Sequence, residues 1–250
     1  MNKIKQSIIS VLLLSSLTLS AKDYKASLFG VKSDGSTLNT KSIQKAVDFI
    51  SENGGGRLVF YVGRYLTGTI QLKSNVTIQL EEGAVLVATS SIYDYYGMNG
   101  MKALVWADGQ QNIGITGKGV IEGQGAAVLE QINTQIRKGY LQEDPGKAKP
   151  ALIALNNCGN ICIEELNLMN ACGSVQLYNG CRNMKVSGVT IKSTVVPETA
   201  GLALSGCDGV KLSNLFFETS GKELATDGKS KNLVVSNCQN SGGKKITAKN

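Results

Sequence analysis

Between residues 198 and 245 the chain gathers side chains suited to chemistry: the acids Glu198, Glu218, Glu223 and Asp227, and the lysines Lys222, Lys244 and Lys245. Two carboxylates held near one another can divide the work of proton donor and proton acceptor. Ammonium groups beside them can hold an anionic substituent as point charges. Glu198 and Glu223 are the best such pair, because their spacing of 25 residues is close to one period of the repeat described below. The competing reading is that these are ordinary solvated turn residues. Trp106 and Tyr93, Tyr95 and Tyr96 offer flat faces for stacking; Trp106 is flanked by apolar residues and reads as core, whereas Tyr95 and Tyr96, beside Asp94 and Gly97, read as surface binding residues. The chain has no histidine, its cysteines are strand-borne and no acidic run has calcium-loop spacing, so neither a metal site nor a cofactor is expected. Phosphate loops are missing too, and Gly54-Gly55-Gly56 reads as a helix end rather than a helix start.

What must position these residues is a repeat. Asn157-Cys158-Gly159-Asn160-Ile161, Gly180-Cys181-Arg182-Asn183-Met184, Gly206-Cys207-Asp208-Gly209-Val210 and Lys229-Ser230-Lys231-Asn232-Leu233 say nearly the same thing four times. The steps between positions 160, 183, 209 and 232 are 23, 26 and 23 residues. Weaker copies precede them at Ser74-Asn75-Val76 and Gln111-Asn112-Ile113. Each copy is a turn followed by a short strand with an aliphatic residue at every second position. One such strand cannot bury its apolar face, but stacked coils can, each pairing its backbone with those above and below. The expected fold is therefore all-β, a right-handed single-stranded parallel β-helix. Cys158, Cys181 and Cys207 should form a vertical column of buried thiols rather than a disulfide framework, with Asn160, Asn183 and Asn232 as a ladder at the turn. A leucine-rich repeat fits poorly, since its leucine spacing and its helices are absent.

The ends and the interruption are also readable. Residues 1–21 resemble a secretory signal, with Lys3 and Lys5 ahead of an apolar stretch, Ser20-Ala21 as a cleavage site and no lipid-anchor cysteine there. A secreted or periplasmic single domain over 22–250 follows, without stable membrane insertion. Without those two lysines 24 basic and 19 acidic side chains remain, a net +5 that suits an acidic polymer. Scattered lysines and few aromatics argue against a nucleic-acid groove. Thr40 is expected to N-cap a helix with the apolar face Ile43, Ala46, Val47 and Ile50, closing the first coil. The stretch Gly125–Pro150 breaks the repeat with a helix around Val128–Arg137 and a polar loop; it builds either a groove wall or a plain surface excursion. An open last coil would leave a sheet edge, so both monomer and dimer are compatible with the sequence.

The succession Leu28-Phe29-Gly30-Val31, Asp34-Gly35, Ile43-Gln44-Lys45-Ala46-Val47, Gly54-Gly55-Gly56-Arg57-Leu58-Val59 and Tyr65-Leu66-Thr67-Gly68, and then Ile113-Gly114-Ile115-Thr116-Gly117-Lys118-Gly119-Val120-Ile121-Glu122-Gly123, resembles glycoside hydrolase family 28, the polygalacturonases and rhamnogalacturonan hydrolases of the pectin lyase-like superfamily. The resemblance covers roughly residues 26–245. It implies hydrolysis of uronic-acid glycosidic bonds with inversion, which needs an acid and a base about 6.5–9.5 Å apart. The family's signatures are Asn-Thr-Asp, an Asp-Asp pair one coil on, Gly-His-Gly and Arg-Ile-Lys. In their places stand Glu198-Thr199-Ala200-Gly201, Gly221-Lys222 and Gly243-Lys244-Lys245, and the last residue, Asn250, precedes the place of the fourth.

Three readings follow. The first is a catalytically impaired relative that binds acidic polysaccharide or oligosaccharide, with Lys222, Lys244, Lys245, Tyr95 and Tyr96 as substrate-binding residues. The second is an active glycosidase or lyase with a relocated site at Glu198 and Glu223. The third is a structural β-helix without a ligand.

Overall fold

The computed structural model describes residues 22–97, 101–142 and 144–248; the signal-like segment lies outside them. Three parallel sheets run the length of the molecule, and the chain visits them in turn. The first has eight strands, beginning with Asp23–Lys25, Gly56–Phe60 and Val76–Leu80 and ending with Asp208–Ser213 and Lys231–Ser236. The second contains Ile70–Gln71, Ala103–Asp108, Ala151–Asn156, Gln176–Asn179, Leu202–Ser205 and Leu224–Thr226. The third has seven strands, from Gly63–Thr67 to Gln239–Asn240. This is the right-handed parallel β-helix the repeat predicts.

The register explains why the repeat folds this way. Gly159 pairs with Arg182, Arg182 with Asp208 and Asp208 with Lys231, reproducing the steps of 23, 26 and 23 residues. Like residues therefore stack. Ile78, Ile115, Ile163, Val186, Leu212 and Val235 form one inward column, and Leu86, Ile121, Leu168, Ile191 and Phe217 form another. Burying each such side chain contributes about 1.5–3 kcal/mol. The six cysteines are free thiols, and the same register sets Cys158, Cys181 and Cys207 in one buried column, each Sγ facing a backbone carbonyl. The hydrogen-bonded thiols of Cys158 and then Cys207, together with burial, push Cys181 far above the ordinary thiol range.

The asparagine ladder is longer than the sequence indicates. Asn112 donates to Asn75, Asn160 to Asn112 and Asn183 to Asn160, at 2.8, 2.9 and 3.4 Å. All four have a left-handed backbone, with φ between 51 and 64°, which Asn tolerates and most side chains do not. Gly209 takes the next position, at φ 70°, without a side chain, so Asn232 turns to Asp208 Oδ1 at 2.7 Å.

Helix α1 (Thr40–Glu52) covers the first coil, burying Ile43, Ala46, Val47 and Ile50 as predicted. Its N-cap is Asn39, not Thr40. The Asn39 amide is committed to Lys32 and Leu66, and the Thr40 hydroxyl accepts the Gly68 N–H at 2.7 Å, so these side chains fasten the helix to the coil instead of capping it. The interruption forms α2 (Gly125–Arg137) and a short α3 (Pro145–Ala148), whose N-terminus is capped by Asp144 accepting from Gly146 N at 2.7 Å.

Candidate functional site

Side chains alternate along the second sheet. Val105, Ile153, Gln176, Leu202 and Leu224 share one column facing the core, while Trp106, Ala154, Leu177, Ala203 and Ala225 share the outward column. These outward residues are all apolar, and beyond Trp106 and Leu177 they are alanines, so the face forms an apolar floor. Two residues further along, on the same face, Asp108, Asn156 and Asn179 form a polar rail, with Asn156 donating to Asp108 at 2.5 Å and Asn179 to Asn156 at 2.7 Å. Ser205 continues the rail and donates to Asp227 at 2.8 Å. That bond, with the Lys229 N–H, holds the Asp227 carboxyl below its usual range.

Three hollows lie along this floor. The first, of about 580 Å³, is lined by Lys102, Lys147, Lys149, Ser174, Glu198 and Thr199 among others. The second, about 480 Å³, lies over Leu177, Ala203, Ala225 and Asp227. The third, about 460 Å³, is lined by Lys222, Glu223, Thr226, Lys244, Lys245 and Ile246. Met101 and Leu177 belong to the first two, and Ala225 and Thr226 to the last two, so the hollows merge into one groove.

The two glutamates proposed as a catalytic pair lie on neighbouring coils and line different hollows of the groove. Glu198 is exposed in the first hollow and has a left-handed backbone, φ 61°; on the next coil it faces Gly221, where an added Cβ would lie 2.8 Å from its carbonyl carbon. Glu223 lines the third hollow, beside Gly201 of the coil below. Asn240 donates to Glu223 at 2.7 Å and lowers its pKa, favouring the ionised carboxylate over a proton donor. Glu218 belongs to the third sheet, 4.0 Å from Lys192, and does not line the groove. Lys222, Lys244 and Lys245 are exposed and share the third hollow.

Ala200 sits one coil below Lys222: Gly201 N–H donates to the Lys222 carbonyl at 2.9 Å, and Leu202 pairs with Leu224. A methyl group and an ammonium-bearing stem thus neighbour one another at the positions where the sequence resemblance leads one to look for carboxylates.

Tyr95 corrects the sequence reading. It is 5% exposed, and its hydroxyl donates to the Thr89 carbonyl at 2.5 Å, so it packs in the core and offers no face to a ligand. The polar neighbours Asp94 and Gly97 concealed this, because a 3-10 turn over Ile92–Asp94 tucks the ring inward. Tyr96 is 45% exposed and meets Trp106 edge-on at 6.4 Å. Trp106 is buried not in the central core but in a satellite cluster with Ala103, Ala151 and Ala154 beneath the groove. Tyr93 is exposed and donates to Gln135 of α2 at 3.0 Å. The sequence reading missed Lys102, Lys147 and Lys149 altogether. The signal available was that the interruption ends in a lysine-bearing loop just before a strand of the second sheet. Among the described residues no cluster of His, Cys, Asp and Glu is arranged to hold a metal, and no helix is long and apolar enough to cross a membrane.

Residues 59–247 match the sequence pattern described as Glycosyl hydrolases family 28. The chain belongs to that family. A Vitis vinifera protein named "Probable polygalacturonase" is 30% identical over 220 residues, covering 80% of this chain and 43% of its own length. An exo-poly-alpha-D-galacturonosidase of Dickeya chrysanthemi is 26% identical over 84% of this chain and 38% of its own. The family 28 chain thus spans about two-fifths of these curated relatives. A candidate glycosyl hydrolase from Parabacteroides merdae superposes with a TM-score of 0.88 at 46% identity, over 92% of this chain and all of that one. The family 28 exopolygalacturonase of Yersinia enterocolitica superposes at 0.74 with 20% identity, over 87% of this chain and 49% of its own, a likeness of fold.

Proposed function

We propose that this chain is an exported, single-domain family 28 protein that binds acidic glycan of the pectic type along the second sheet and does not hydrolyse it. The observation that carries the reading is the coil pair at Ala200 and Lys222. Inverting hydrolysis needs one carboxylic acid whose pKa is raised and one carboxylate facing it across the bond. Here the two neighbouring positions bear a methyl and an ammonium group, and the groove carboxylates Glu223 and Asp227 are both shifted downward, the wrong direction for a proton donor. The lysines, by contrast, suit retention of uronate carboxylates, and the apolar floor suits the C–H faces of sugar rings. The exposed Tyr96 at the groove margin is the remaining aromatic candidate, and Tyr95 is withdrawn.

Export through residues 1–21 belongs to the same proposal. Calorimetric titration of the purified protein with polygalacturonate and rhamnogalacturonan, alongside a reducing-end assay, tests it. Binding without reducing-end release is expected; reducing ends released by wild type and lost in Glu223→Gln would establish the relocated site instead. Failure to bind either polymer would leave a structural β-helix.

A further inference from the structure

We infer that Lys102, Lys147 and Lys149 form a second anion subsite at the opposite end of the groove from Lys222, Lys244 and Lys245, so that the protein selects a polyanionic glycan by length as well as by charge. The inference rests on the acidic-glycan reading of the groove but uses residues outside the repeat.

The lysines of this subsite come from two distant segments that the fold forces together. Ala151 N–H donates to the Lys102 carbonyl at 2.9 Å, setting Lys102 directly beside the Lys149-Pro150 segment. Gly173 N–H donates to the Pro150 carbonyl at 2.9 Å, and a Cβ on Gly173 would lie 2.8 Å from the Lys149 carbonyl oxygen, so the backbone behind the subsite is tightly packed. Lys147 sits in the α3 turn fixed by the Asp144 cap. Among the described residues neither the Lys147 nor the Lys149 ammonium lies within 4.0 Å of a carboxylate. Among the described residues that line this hollow, Glu198 is the one acid. Gathering like charges costs on the order of 1 kcal/mol per close pair even in water, and an incoming anion reverses that cost. The third hollow has the same composition, three lysines and one glutamate.

The second sheet fixes the distance between the two ends. The coil of Ala103 and the coil of Leu224 are four steps apart through the strands at Ala151, Gln176 and Leu202. At about 4.8 Å per step the span is roughly 19 Å. Between the ends lie Leu177 and Ala203, which offer contact but no cation. A short oligomer therefore reaches one lysine cluster, and only a longer one reaches both. Simultaneous engagement converts the second contact into an intramolecular one, which raises affinity by roughly a hundredfold or more without any new kind of contact.

The test is calorimetric titration of the full chain with galacturonate oligomers of increasing, defined length and with sulfated galactan oligomers of matched length. The expected result is a step of about a hundredfold or more in affinity at the length that bridges the groove. Lys147→Gln/Lys149→Gln removes the step and leaves short oligomers unaffected. Lys229→Gln/Lys231→Gln, outside the groove, removes the same charge and keeps it. Thermal melts of both double variants should match wild type. A smooth rise with length, or a step that survives Lys147→Gln/Lys149→Gln, overturns the second subsite. Loss of the step in the Lys229→Gln/Lys231→Gln control also overturns it, since bulk charge would then explain the effect. A step seen only with the sulfated series upholds the subsite and refutes the uronate reading of the groove.

Discussion

Position 200 carries a methyl group, and position 223 in the groove carries a carboxylate kept ionised by an asparagine; the residue scale decides the chemistry. Because Glu223 shares its hollow with three lysines, it repels the anions they attract. Glu223→Gln is expected to tighten polygalacturonate binding by about 1 kcal/mol, roughly fivefold, at low ionic strength, and to lose that gain in salt; titration at two salt concentrations checks this. The asparagine ladder makes a second expectation. Asn160 combines a left-handed backbone, φ 53°, with bonds to Asn112 and from Asn183. Asn160→Gly and Asn160→Ala both lose the bonds, but only alanine incurs the left-handed penalty of about 1–2 kcal/mol. Chemical denaturation should therefore rank wild type above glycine and glycine above alanine, and equal glycine and alanine variants would refute the strain argument. Gly209 already stands at this turn one coil beyond Asn183.

Elements decide where the solenoid begins and how its coils are linked. Ile50 is fully buried where α1 closes the first coil; Ile50→Asp leaves a charge against the apolar end and should cost at least about 3 kcal/mol by urea unfolding. Between coils, Lys185 meets Glu164 at 2.6 Å and, with Ser187, lowers the Glu164 pKa. A carboxyl depressed in the folded state stabilises above its unfolded pKa of about 4.3, and that contribution disappears as pH falls through the folded value. Wild type should thus melt above Glu164→Gln at neutral pH and converge with it in acid. The elements most legible in the sequence were those whose side chains repeat with the coil: the strands after Asn160, Asn183 and Asn232, the cysteine column and the apolar face of α1. Less legible was anything set by contacts across the interruption. Tyr95 turns inward because of a single 3-10 turn, and Lys149 reaches Lys102 through a loop whose course no period encodes. Glu198 and Glu223 have the right separation in sequence, yet a coil count says nothing of position along the strand, and that offset puts them in different hollows.

For the whole molecule the decisive property is that each coil touches only its neighbours, so stability is a sum of local terms rather than one global core. The two ends of this chain differ. The first coil lies under α1, with Ile43, Ala46, Val47 and Ile50 fully buried. In the strand Asp208–Ser213 the inward Val210 and Leu212 are buried, whereas their partners Leu233 and Val235 in Lys231–Ser236 are only partly covered, and Val234 is 56% exposed. Ile246, brought back by a turn in which its N–H donates to the Cys238 carbonyl at 2.8 Å, covers only part of that face. Opening therefore costs least at the last coil and rises toward the centre, because an inner coil cannot open without breaking pairings on both sides. Hydrogen exchange should show this as a gradient: fastest in 231–236, intermediate in 208–213 and slowest in 159–164. A bound polyanion holding Lys222, Lys244 and Lys245 should slow exchange at 224–226 and 231–236 more than at 159–164, since it acts where opening is easiest. Uniform exchange along the three strands would mean that the coils unfold as one unit, and the neighbour-only description of the solenoid would fail.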